Sequence, residues 1–193
     1  MVTNKHITSQ LKAWYDLSTV ADKEEGKYWY ANANAFTNAL SLAYHTNQLV
    51  CAGIVAALSP QNRWFVNQRD AENLIAAHYY GASIDHIIVG TYGQQARKAV
   101  SILRLEKPTR TKIIAILGKE AYKTIAFFLN ISNPEHDAVA LDRHMINLLS
   151  INPKWVTRKK GYNHIARCVV EVANTLDLKP HQLQAIVWVT YRS

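Results

Sequence analysis

Asp142, Arg143 and His144 follow directly on four apolar residues, Ala138 to Leu141, and apolar residues then return at helical spacing. An acid placed just before a helix is first of all an N-cap, where its carboxylate accepts from free backbone N–H groups. A carboxylate there also faces the positive end of the helix dipole, which favours the anion. Such a group is suited to activating water or to stabilising a developing cation. Lys123 is the second candidate. It sits in ILGKEAYKTIAFFLNI, residues 116–131, among Ile125, Ala126, Phe128 and Leu129. A helical lysine usually extends its ammonium to water, but one partly desolvated near a pocket becomes a nucleophile. The third stretch is LSPQNRW, residues 58–64. It reads either as an ordinary loop with a helix cap or as a loop that pushes Gln61, Asn62 and Trp64 into a partner.

Other chemistries leave no signature. The chain has no GxGxxG, GxxxxGK[ST], HExxH or GxSxG pattern. Its eight histidines lack metal-ligand spacing, and its two cysteines, Cys51 and Cys168, form no CxxC. No metal and no cofactor are expected, and reduced thiols suit a reducing compartment. The N-terminal stretch MVTNKHITSQLKAWYD has no apolar signal region, and no run of 18 apolar residues occurs. The expectation is a soluble monomer in the cytoplasm, with no membrane partner. The net charge of +8, with pI near 9.5, predicts attraction to polyanions.

Nearly every segment that must position these residues reads with a helical period. Trp29, Ala33, Phe36, Leu40 and Tyr44 recur at steps of three and four over residues 27–47. Residues 49–58, LVCAGIVAAL, are apolar all round and predict a central helix that ends at Ser59-Pro60. Helices are expected over 65–80 with Asn62 as cap, 83–89 with Ser83 as cap, and 94–103. Further helices are expected from Pro108-Thr109 to Leu117, over 119–129, from Asp142 to Leu149, from a Thr157 cap to Leu176, and from Pro180 onward. No segment alternates polar and apolar residues convincingly, so the predicted fold is all-α, of roughly ten helices in one globular unit, 1–193.

Taken in order, these stretches resemble the helix-hairpin-helix DNA glycosylase superfamily, the group of endonuclease III, adenine glycosylase and 8-oxoguanine glycosylase. IVAALSPQNRWFVNQRDAENLI is similar to the family's buried helix, LS-x-Q loop and following helix. TYGQQARKAVSIL resembles its G-x-x-x-x-K-A-x-x-I segment. ILGKEAYKTIAFFLNI resembles the hairpin and its second helix, and AVALDRHM the V-D-x-H segment. The nineteen-residue separation of Lys123 and Asp142 is of the size the family uses. One departure is plain: where the family hairpin reads L-P-G-V-G-x-K, this chain keeps only Gly118 and adds Glu120. Pieces such as L-D-R-H are closer to phage-associated branches linked to modified thymines. The cysteines of the iron–sulfur cluster found in some members are absent.

The resemblance implies a two-lobed helical fold, with one lobe over 49–149 carrying a hairpin-like element and the other built from 1–48 and 150–193. It implies double-stranded DNA as partner, in a nucleoid or a phage-infected cell, and a base flipped into a cleft between the lobes. Asp142 and Lys123 become the catalytic pair of a glycosylase with abasic-site lyase activity, and Gln61 the wedge with Asn62 beside it. Arg63, Lys119, Arg143 and His144 become DNA contacts. Two other readings stay open: an enzyme acting on hypermodified thymine in phage DNA, and a non-catalytic DNA-binding module.

Overall fold

The computed structural model describes residues 3–84 and 87–193. Ten α-helices account for most of these, joined by short connections, and no strand occurs among the described residues. The all-α expectation is met. The chain divides into two compact units, Met1–Asn32 with Glu135–Ser193, and Ala33–Pro134. The long helix α2 (Val20–Ala43) begins in the first and ends in the second.

In the first unit, α1 (Asn4–Leu17) packs on α9 (Lys159–Thr175) and α10 (Pro180–Arg192), and α10 packs on α9 and on α8 (Arg143–Leu148). Sequence periodicity explains the core. On α9, Tyr162, Ile165, Cys168, Val169, Val172 and Ala173 are buried at steps of one, three and four, a single inward stripe. On α10, Leu183, Ile186 and Val187 are buried, each worth about 1.5–3 kcal/mol of hydrophobic stabilisation. Two buried polar residues of α10 have partners: Tyr30 donates from its hydroxyl to Gln184 Oε1 at 2.9 Å, and His181 Nδ1 lies 3.0 Å from the His136 carbonyl.

The second unit is built around α3 (Gln48–Leu58), every residue of which from Val50 to Leu58 is buried. It contacts α4 (Trp64–Tyr79), α5 (Gly93–Leu103), α6 (Arg110–Leu117) and α7 (Tyr122–Ser132). Asn47 caps α3, its Oδ1 accepting from Leu49 N at 2.9 Å. A Cβ on Gly53 would lie 2.9 Å from Ile113 and 3.1 Å from Ile102, so α5 and α6 approach closer there than a side chain allows.

Several expected boundaries differ. The segment from Glu135, which includes Asp142, groups with the N-terminal residues rather than with residues 49–134, because Asp142 and Leu141 bond to α10 and α9. Ser59 ends α3 yet stays in the α region, at φ −71 and ψ −26. Arg63, not Asn62, is the N-cap of α4, and Arg158, not Thr157, that of α9. Thr157 instead donates from its hydroxyl to the Lys154 carbonyl, within a turn. Residues 119–121 form a connection before α7. Of the helix expected over 83–89, residues 83, 84 and 87–89 are non-helical, and 85 and 86 lie outside the described residues.

His181 makes the stability of this fold depend on pH. Burial of the ring holds its pKa below the ordinary 6.5, against the opposing contact with the His136 carbonyl. The unfolded chain therefore binds a proton that the folded chain resists, and the ring's contribution is present above pH 6.5 and lost as pH falls through the lower folded value. Melting curves should show stability declining on acidification below pH 6.5, with a shallower decline in His181→Gln. An equal decline in both proteins would remove His181 as the cause.

Candidate functional site

The run Ala138 to Leu141 belongs to no helix, so its backbone groups need partners from elsewhere. Tyr162 of α9 supplies them: its buried hydroxyl donates to the Val139 carbonyl at 2.6 Å and accepts from Leu141 N at 3.2 Å. Burial of the phenol raises its pKa well above the usual value, which keeps it a donor. The next residue, Asp142, is the N-cap of α8. Its Oδ1 accepts from Met145 N at 2.9 Å, and its Oδ2 accepts from the indole Nε1 of Trp188 at 2.9 Å. Both carboxylate oxygens of this half-buried residue are thus held by N–H donors from two elements.

The far end of α8 is fixed as firmly. Trp14 donates from its indole to the Leu148 carbonyl at 3.1 Å, and His6 Nε2 lies 3.0 Å from the Leu149 carbonyl. Aromatic rings surround the carboxylate's partner. Trp188 meets Trp29 edge-on at 6.3 Å and the half-buried His144 at 6.2 Å, and His144 lies 6.1 Å from Tyr191. The Arg192 guanidinium stacks 4.4 Å from the Trp188 ring centroid. Arg143, the first residue of α8, is exposed. Neither Trp188 nor Tyr162 carries a local sequence mark that ties it to this segment.

In the second unit, Gln61 occupies the exposed corner between α3 and α4, with φ 54 in the left-handed region. Strain of this kind persists only where surrounding contacts impose it. Here Thr91 donates from its hydroxyl to the Pro60 carbonyl at 2.5 Å. Asn62 donates from Nδ2 to the Leu58 carbonyl at 3.3 Å and to Asp70 Oδ2 at 3.4 Å. The Asp70 side chain is buried and also accepts from Gly90 N at 2.6 Å. A Cβ on Gly90 would lie 2.8 Å from Asn62 Oδ1 and 2.7 Å from Val66 Cγ1, so a larger residue there would force these side chains to shift. Arg63 is exposed beside it.

Helices α6 and α7 are joined by four residues that turn through Gly118, at φ 104, with Ala121 N donating to the Gly118 carbonyl at 2.9 Å. Lys98 donates from Nζ to the Leu117 carbonyl at 2.6 Å and so caps the end of α6. Lys119 is exposed on the connection. Lys123 lies in the first turn of α7, half-buried, its Nζ 6.0 Å from the Phe127 ring centroid. Phe127 meets Trp64, the first residue after Arg63, at 6.4 Å. The second unit thereby carries Gln61, Asn62, Arg63, Lys119 and Lys123, and the first carries Asp142, Arg143 and His144.

Among the described residues no group of three His, Cys, Asp or Glu side chains is placed to hold a metal ion. No described helix is long and apolar enough to cross a membrane. Both cysteines are buried, and burial pushes the Cys51 thiol up to about 12, far from a nucleophilic thiolate.

The Tyr162 contacts carry a measurable load. Tyr162→Phe leaves the Leu141 N–H and the Val139 carbonyl without their partner in a buried setting, at about 1–3 kcal/mol each. Urea unfolding should show a loss of about 2–6 kcal/mol. A loss within experimental error would mean that water or another group takes the hydroxyl's place.

The comparisons with known proteins identify a family and no function. No curated protein and no solved structure matches the chain significantly. One family model, described as a family of unknown function, DUF7178, matches residues 1–193. Over its whole length, then, the chain belongs to the DUF7178 family.

Proposed function

We propose that the protein is a DNA glycosylase with abasic-site lyase activity, acting on a base flipped out of duplex DNA. The observation that carries this reading is the Asp142 carboxylate, held between the start of α8 and the Trp188 indole by two 2.9 Å hydrogen bonds. Cleavage of an N-glycosidic bond builds positive charge on the sugar as the bonding electrons leave with the base. A carboxylate fixed before the reaction starts stabilises that charge without reorganising. The Lys123 amine then bonds to the anomeric carbon. Ring opening gives a Schiff base, and loss of the acidified proton beside it expels the 3′ phosphate by β-elimination.

The remaining assignments follow from the same reading. Gln61, on its strained corner, fills the space vacated by the flipped base and offsets part of the unstacking cost, with Asn62 locking the corner from behind. Arg63, Lys119 and Arg143 contact phosphates. His144, edge-on to the indole that holds Asp142, orients that indole. The DNA is double-stranded, and the protein works as a monomer.

Two variants test the reading. Incubation with abasic-site duplex and borohydride should trap the protein on DNA, and Lys123→Gln should not be trapped. Trapping that persists in the variant would place the nucleophile on another amine. Asp142→Asn should bind duplex DNA as the parent does and excise its base on the order of a hundredfold more slowly or worse. Full excision by this variant would remove Asp142 from the chemistry.

A further inference from the structure

The net charge of +8 is unevenly spread. From Arg143 to Val170 the chain has six Lys and Arg residues and no acidic residue. The rest of the first unit, residues 1–32, 135–142 and 171–193, holds six basic and nine acidic side chains. A surface charged only for solubility mixes both signs. This unit instead gathers its cations in one place and is acidic elsewhere.

The fold turns that run into a surface. Lys154 lies in the 3-10 turn Pro153–Trp155, Arg158 is the N-cap of α9, and Lys159 and Lys160 open the helix. Arg167 stands about two turns further on, where residues seven apart share a face. Its Nε donates to the Asn163 carbonyl at 3.3 Å, which folds the guanidinium back toward the helix start. All five side chains are exposed, and none forms an ion pair among the described residues. The opposite face of α9 is committed to the core. A Cβ on Gly161 would lie 2.1 Å from the Trp155 carbonyl, so the 3-10 turn is clamped onto α9 and Lys154 is carried beside the helix start. No side chain of Arg158 caps α9, which leaves its first N–H groups directed at the same surface.

We infer that Lys154, Arg158, Lys159, Lys160 and Arg167 form a sequence-independent binding surface for the phosphate backbone of nucleic acid. A membrane fits less well, because no large exposed apolar residue lies between Arg143 and Val170 to enter the lipid. The inference deepens the DNA reading and rests on it for the duplex form of the partner. It also supplies a grip that the α6–α7 connection provides poorly, since exposed Glu120 beside Lys119 repels phosphate there.

The test is the salt dependence of binding to a labelled duplex without lesions, read by fluorescence anisotropy. Each lost phosphate contact makes the slope of log K against log salt shallower by about 0.9. Arg158→Gln/Lys159→Gln/Lys160→Gln should therefore be shallower by about 2.7, and Arg167→Gln alone by about 0.9. Lys5→Gln/Lys12→Gln/Lys27→Gln, an equal charge change on exposed residues outside the run, should leave the slope near the parent's. Equal slopes for the two triple variants would overturn the inference and leave the glycosylase reading standing. So would loss of phosphatidylserine-vesicle binding in the α9 variant with its DNA slope unchanged. A patch-dependent slope in a protein that traps no abasic DNA would support the surface and remove the lyase.

Discussion

Two donors on one carboxylate organise the first unit. A half-buried Asp142 would be costly if its oxygens lacked partners, because burial strips water from a charged group. The α8 backbone satisfies one oxygen and the Trp188 indole satisfies the other, so α8 is tied to α10 at its N-cap. Everything around the pair extends this tie. Tyr162 of α9 fixes the non-helical run that delivers Asp142, and Trp14 and His6 of α1 bind the carbonyls at the other end of α8. A helix of six residues is too short to be stable alone. It persists here because three longer helices hold both of its ends.

The second unit solves a different problem. Its helix α3 has no polar face, so every neighbour must cover it, and α4 to α7 do so. That demand sets where the connections fall. The corner at Gln61 appears where α3 ends, and the turn at Gly118 where α6 must reverse into α7. Both are backbone positions in the left-handed region, and both are held by side chains from neighbouring chain: Asp70 and Thr91 at the corner, Lys98 at the turn. The residues proposed to meet DNA therefore stand on points fixed by the packing beneath them.

Local signals were legible in the sequence and distant ones were not. The apolar run of α3, the Gly118 stop and the Asp142 cap each depend on residues within a turn, so periodicity and capping chemistry reveal them. The partner of Asp142 lies 46 residues away, and that of Leu141 lies 21 away, with no periodic mark on Trp188 or Tyr162. Asn62 shows the same limit. Its side chain is a good helix cap by type, but buried Asp70 competes for it, and Arg63 starts α4 without a side-chain cap. The α9 start failed for a similar reason: Thr157 bonds backward into the 3-10 turn instead of forward into the helix. The charge run is legible in the sequence, but its meaning depends on which face of α9 the core takes.

The proposed function requires that Asp142 with its Trp188 partner drive cleavage of an N-glycosidic bond in DNA. The most direct measurement is mass spectrometry of free bases released by the protein from a panel of duplexes carrying damaged and modified bases, hypermodified thymines included. At least one duplex should lose its base and keep its sugar–phosphate until lyase cleavage. Release of no base from any duplex, or recovery of a base altered while still attached to its sugar, would contradict it.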